Sequence, residues 1–285
     1  MKKFFQAIGM LTLMCLSFIY AEKTAMVVKE TDSLMMEIKK QNVKYKEEPI
    51  DALIENNVIR PGLNGKEINE NKSYLNMKRI GNYNPKLLEY QVIKPKISIE
   101  KIYDKYVIGG NVKKNLVSIV FIVNNNDNIN QILTILEDKK VKSNFFIDSV
   151  WLENNNDKIM ELIKKGHVIG NLSYNMDYNH SDFIWMDTII RKIGNQKKGY
   201  CYTERENTNA LKICALHKNH TIKPEIIVKK YPLIEIKKQI KNGSIISLPI
   251  NMVVESELIS IINYIEAKGY KIVTLNELLS EDNEL

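Results

Sequence analysis

The chain has 285 residues, 44% hydrophobic and 26% charged, a balance that excludes a wholly disordered or low-complexity protein. There are 41 Lys and Arg against 34 Asp and Glu, a formal net charge of +7. The surplus is spread along a Lys-, Ile- and Asn-rich sequence without long basic runs, so it carries no nucleic-acid signature; at most it favours anionic wall polymers or lipid headgroups.

Lys2 and Lys3 precede an apolar stretch over 4–21, about 18 residues long and so at the lower limit for crossing a bilayer. This reads as a signal peptide or an N-terminal membrane anchor, with the body outside the cytoplasm. Ile19 and Tyr20 make a poor small-residue cleavage site, which favours the anchor. Residues 22–48 are charged, with Leu34, Ile38 and Val43 at helical spacing, and read as a stalk. A small accessory region follows, and the two together span 22–105. Within it, 51–58 reads as a short amphipathic helix, Pro61-Gly62 and Asn64-Gly65 as turns, 73–80 as a second helix, and 92–99 as extended.

From Tyr106 the pattern becomes regular. The run LVSIVFIV (116–123) is apolar and rich in β-branched residues, as in a strand buried on both faces. Residues 129–140 form a helix, 141–147 a strand, 157–165 a helix stopped at Gly166, and 167–171 a third strand. Towards the end, 243–248 is a strand, 256–268 a helix closed by Gly269, 270–274 a strand and 275–279 a short helix. Alternating strands and helices with short connections predict a parallel α/β domain over 106–285.

Four segments give this order a likeness. GHVIGNLSYNM (166–176) resembles the GHEIGNHSYSH segment of the polysaccharide deacetylase (NodB-homology) family, and VKSNFFI (141–147) resembles VKATFFV. NGSIISL (242–248) is similar to PGSIILLH, and KGYKIVTLNELL (268–279) to a common family ending. The resemblance implies a distorted (β/α) barrel with its site at the C-terminal ends of the strands. It also implies metal-assisted hydrolysis of an acetamide: an Asp and two His hold a zinc-like ion, a second Asp is the base, and a late His is the acid.

None of those side chains stands at its expected position. The TFDDG segment falls on 120–124, which puts Ile122 and Val123 at the two aspartates; sliding the match by two offers the amides Asn124 and Asn125. The two metal histidines become Leu172 and Met176, RPPYG becomes YCYTE around Cys201, and the acid histidine becomes Pro249. A leucine has no lone pair, a thioether is a poor zinc ligand, and proline exchanges no proton. Asp127 reads as a turn residue, Glu204 and Arg205 as a solvated pair, and His167 as a satisfied buried histidine.

Other chemistry is sparse. Cys214, His217 and His220 spell C-x2-H-x2-H, but an offset of six turns the third residue away on a helix; His180 is the open fourth candidate. Cys201 and Cys214 either pair as a disulfide or remain two small apolar residues. The expectation is therefore a deacetylase-like envelope protein without the family mechanism, needing no cofactor and acting as a glycan-binding or scaffold protein. Candidate ligand contacts are Asn124, Asn125, Ser173, Tyr174, Asn175 and Tyr202, with Trp151, Trp185 and Tyr178 as further aromatics for stacking on sugars. The alternatives are an active deacetylase with displaced ligands and a divalent metal, and a structural protein working through 22–105.

Overall fold

The computed structural model describes residues 10–19, 31–194 and 196–283. Of the expected membrane segment, 4–9, 20 and 21 lie outside the described residues, and 10–19 are helical. Among the described residues no helix is long and apolar enough to cross a membrane.

After residue 31 comes helix α1 (Ser33–Tyr45), capped by Asp32, whose carboxylate accepts from the Leu34 N–H at 2.8 Å. The chain then forms an antiparallel hairpin of β1 (Leu53–Glu55) and β2 (Val58–Arg60), followed by β3 (Gly65–Ile68), α2 (Glu70–Lys78) and β4 (Tyr90–Ile93). The 51–58 segment is thus a strand pair and not a helix. Asn56 takes the left-handed φ of 53° that a tight hairpin turn needs, and the helix-like spacing of Leu53, Ile54 and Val58 is the spacing of two strands folded across that turn.

Contacts divide the chain into one unit of 1–49 with 64–94 and another of 50–63 with 95–285. In the first, α1, α2 and the β3–β4 ribbon close around Leu34, Met35, Ile38, Ile68, Tyr74 and Met77. The Asn42 amide ties α1 to the ribbon by accepting from the Ile68 N–H at 2.7 Å. The predicted stalk is therefore in large part a packed helix, with Val43 left outside its buried stripe.

The second unit takes 50–63 from the region that sequence assigned to the accessory part. β2 pairs in parallel with β5 (Tyr106–Val107), and Arg60 is buried with its guanidinium on the Gly110 carbonyl (3.1 Å) and the Glu225 carboxylate (2.7 Å). The sheet also contains β6 (Leu116–Val123), β7 (Asn144–Ile147), β8 (Val168–Asn171), β9 (Gly199–Tyr202), β10 (Asn219–Ile222), β11 (Ile226–Ile227) and β12 (Ile245–Pro249), with β13 (Lys271–Ile272) paired to β6. Its order is β1-β2-β5-β10-β9-β8-β7-β6-β12-β11, parallel except for the β1–β2 hairpin. This is a curled, incomplete barrel, parallel as the alternating pattern predicts and distorted as the family resemblance implies. The β5 and β12 ends meet where Gly110 N–H donates to the Gly243 carbonyl at 2.8 Å. Gly243 has φ +77°, and a Cβ there would stand 2.5 Å from the Gly110 oxygen, so only glycine permits this approach.

Among the described residues eight helices flank the sheet: α3 (Asn130–Asp138), α4 (Ser149–Asn154), α5 (Asn156–Lys164), α6 (His180–Gly194), α7 (Thr208–Leu216), α8 (Pro232–Gln239), α9 (Met252–Ala267) and α10 (Leu275–Leu278). Of these, α4, α6 and α8 had no counterpart in the sequence reading. β6 explains the burial on both faces. Val117, Ile119, Phe121 and Val123 pack in the outer layer with α3 and α9 residues, whereas Leu116, Val120 and Ile122 belong to an inner cluster.

Cys201 of β9 and Cys214 of α7 form a disulfide that closes a short loop around 13 residues of separation. Loop-closure entropy assigns about 3 kcal/mol to such a link. The double variant Cys201→Ala/Cys214→Ala is expected to lose roughly that amount in denaturant unfolding.

Candidate functional site

The C-terminal ends of the central strands hold the positions that sequence singled out, and strand alternation decides which of them meet. Ile122 of β6 lies opposite Phe146 of β7 and Pro249 of β12, and Phe146 lies opposite Gly170 of β8. Ile122 (6% exposed), Phe146, Leu172 (1% exposed) and Tyr202 are members of one buried cluster, with the partly buried Met176 packed against it. The Phe146 and Tyr202 rings stand 5.4 Å apart. A Cβ on Gly170 would meet the Phe146 ring at 2.3 Å, so this glycine gives the ring its place. The structure thus brings Ile122, Leu172, Met176 and Tyr202 together. Val123 is separated from them in the outer layer, and Cys201 is turned into the cluster of Tyr178, Phe183 and Cys214.

Beside this cluster Tyr202 Oη and Ser247 Oγ stand 2.8 Å apart in a hydrogen bond. Burial pushes the Tyr202 phenol above its ordinary value, so it stays neutral at physiological pH despite the opposing pull of Ser247. A zinc-like ion would find alkyl and aromatic side chains and one thioether here, in place of imidazole and carboxylate. These residues do not fit the metal. Among the described members of this cluster no carboxylate or imidazole is present to exchange a proton.

The loop after β8 is rebuilt around Asp148. As N-cap of α4 it accepts from Val150 N–H at 2.9 Å, and its other oxygen accepts from Asn175 N–H at 2.7 Å. Ser173, Asn175 and Met176 all have left-handed φ, at 57°, 51° and 59°, a conformation that costs non-glycine residues about 1 kcal/mol each or more. Asp148 and the Asn171 side chain, which accepts from Ser173 N–H at 2.7 Å, supply hydrogen bonds that hold it. Tyr178 completes the clasp: its hydroxyl donates to the Tyr202 carbonyl at 2.7 Å and accepts from the Tyr202 N–H at 2.9 Å. Sequence reasoning passed over Phe146, Asp148 and Ser247. The run FFIDS, a strand followed by a helix-capping aspartate, was the available signal for the first two.

Several candidate ligand contacts are withdrawn from the surface. Ser173 is fully buried, and Trp151, Tyr178 and Tyr202 fill the interior, so none of the four can touch a glycan. Asn124, Asn125 and Asn175 are exposed, as are Tyr174 (48%) and Trp185 (39%). Asp127 is the turn residue expected: its carboxylate accepts from the Asn124 N–H at 2.7 Å, and burial raises its pKa against the opposing Asn124 hydrogen bonds. The C-x2-H-x2-H set does not assemble. Cys214 is in the disulfide, His220 stacks on Tyr103 with ring centroids 4.7 Å apart, and His217 faces His180 and Phe183. Among the described residues no three His, Cys, Asp or Glu side chains are grouped to hold a metal ion. Beside the closed mouth lies an open groove of about 610 Å³, lined by Met176 and the 203–209 loop.

The polysaccharide deacetylase family profile matches residues 109–210, which contain β6 to β9 and the rebuilt loop. Over these residues the chain resembles the polysaccharide deacetylase family. The deacetylase domain and its flanks are also similar to YlxY of Bacillus subtilis, an uncharacterised protein, with 29% identity over 90% of this chain and 87% of that protein. In structure, the chain resembles wild-type BA3943 of Bacillus anthracis, described as a CE4-family pseudoenzyme. Identity is 24%, TM-score 0.67, and coverage 88% of this chain and 96% of the other. PdaA of Bacillus subtilis, a family 4 carbohydrate esterase, matches 62% of this chain and 85% of its own, at 20% identity and a TM-score of 0.54. Those likenesses show a shared fold. Of the positions at which the sequence departs from the deacetylase pattern, Ile122 and Leu172 are members of the inner core cluster and Met176 packs against it.

Proposed function

We propose that the chain is a non-hydrolytic deacetylase-fold protein of the cell envelope that binds wall glycan along the rim of its closed mouth. One observation carries the loss of hydrolysis: Ile122, Phe146, Leu172 and Tyr202 form a continuous buried apolar cluster where the family chemistry would take place. The pseudoenzyme status of BA3943 supports the reading, since a related fold is described in that state. The groove beside Met176, with exposed Tyr174 and Asn175 on the neighbouring loop, supplies polar and aromatic surface of the kind that sugars use. An extracytoplasmic location is supported by the Cys201–Cys214 disulfide and by the apolar 4–21 stretch behind Lys2 and Lys3.

The test has two arms. Incubated with N-acetylglucosamine oligomers or peptidoglycan and zinc or cobalt, the full chain is expected to release no acetate above the protein-free control. It is expected to sediment with insoluble peptidoglycan, and exchange of exposed Tyr174 for Ala to weaken that binding several-fold. Metal-dependent acetate release would overturn the non-hydrolytic reading; failure to sediment would overturn the glycan-binding one.

A further inference from the structure

At the end of the barrel opposite the mouth, where the parallel strands begin, lies a cavity of about 410 Å³. Gly166 and His167 line it in front of β8, Lys197 and Lys198 in front of β9, and Thr274 and Asn276 after β13. This volume lies in the range that holds small molecules. No carboxylate is among its described lining residues.

What lines it is a set of donors. His167 is 7% exposed, and its Nδ1 accepts from the Ser143 N–H at 3.1 Å. Burial first, then the charges of Lys142 and Lys165, lower its pKa to about 4, so the ring is neutral at physiological pH. A neutral imidazole that accepts at Nδ1 carries its proton on Nε2. That N–H has no partner among the described residues and is the donor His167 offers the cavity. Asn276 accepts from Tyr200 Oη at 2.8 Å through Oδ1, which leaves its amide N–H groups free.

Three ammonium groups surround these donors. Lys197 is exposed and has no carboxylate partner among the described residues, while Lys198 stands 3.5 Å from Glu100. Lys142 overhangs Gly166, its Nζ 3.6 Å from where a Cβ would sit, and donates to the Lys165 carbonyl with no acid opposite. Lys165 itself is neutralised by Glu137 and Glu161. Glu277, the acid next to Thr274, is engaged by the Thr274 N–H and hydroxyl at 3.0 and 2.8 Å. Free N–H donors beside ammonium groups suit an acceptor-rich anion, and lysines serve phosphate as point charges.

We propose that this cavity binds a small phosphorylated ligand, a phosphate monoester of about sugar-phosphate size, independently of the closed mouth. The phosphate oxygens accept from His167 Nε2–H and the Asn276 amide, and Lys142, Lys197 and Lys198 balance the charge.

The test titrates the full chain with glycerol 3-phosphate and inorganic phosphate, followed by calorimetry and by the His167 ring resonances in NMR. One saturable site is expected, with His167 shifting in step and acetate binding at least tenfold more weakly. The double variant Lys197→Gln/Lys198→Gln, at surface positions that leave folding intact, is expected to lose about tenfold or more in affinity. Lack of saturation by about 10 mM, an unmoved His167, or equal affinity in the double variant would overturn the proposal.

Discussion

Ile122→Asp is expected to destabilise the protein by about 3–5 kcal/mol, the cost of an uncompensated charge in a packed interior. With Phe121 matched to the deacetylase pattern this position would hold an aspartate; here its neighbours are Phe146, Leu172 and Tyr202. Burial would raise the introduced carboxyl's pKa, so the sign of the pH dependence is fixed. Below the unfolded value of about 4 both states are protonated and the gap to the parent protein is smallest. As pH rises above it, the unfolded state ionises first and the variant loses stability relative to the parent. The control Val112→Asp, at an exposed position, is expected to stay within about 0.5 kcal/mol. Denaturant unfolding at two pH values reads both results; equal stabilities would mean that the mouth is open to water.

Arg60→Ala should cost about 3 kcal/mol, at the lower end of what breaking a buried ion pair costs. The Arg60 side chain is 8% exposed and bonds both Glu225 and the Gly110 carbonyl, whereas Glu225 is one-third exposed and keeps Lys241 at 2.8 Å. That remaining partner is what lowers the expected figure. Burial raises the Glu225 pKa, but hydrogen bonds from Lys241 and Arg60 outweigh it, and the net direction is down. The pair's contribution is therefore present above the unfolded carboxylate pKa and fades as pH falls through the lowered one, so the variant and the parent should converge in acid. If 50–63 were only a spacer, the loss would stay within about 0.5 kcal/mol.

Much of the fold could be read because β6 is buried on both faces and announces itself as an unbroken apolar run, and because 141–147 and 166–171 hold to the family spacing. The departure from the family's residues was equally legible, since Leu172 and Pro249 differ in kind from histidine. What replaced it was not. That Phe146 covers the site depends on its register opposite Gly170, and that Trp151, Tyr178 and Tyr202 point inward depends on tertiary packing; neither is written in residue type. The β1–β2 hairpin was missed because three apolar residues around a two-residue turn have the same spacing as a helical face. The Cys201–Cys214 link was undecidable without the position of α7 against β9. At the opposite end, His167 had one satisfied nitrogen as expected and one that was not.

Zinc or cobalt titration of the full chain by calorimetry tests the central claim, that the deacetylase centre has become apolar core. The account predicts no one-to-one binding tighter than roughly micromolar. Stoichiometric binding in that range would contradict it and show that ligands assemble which Ile122, Leu172 and Met176 do not supply.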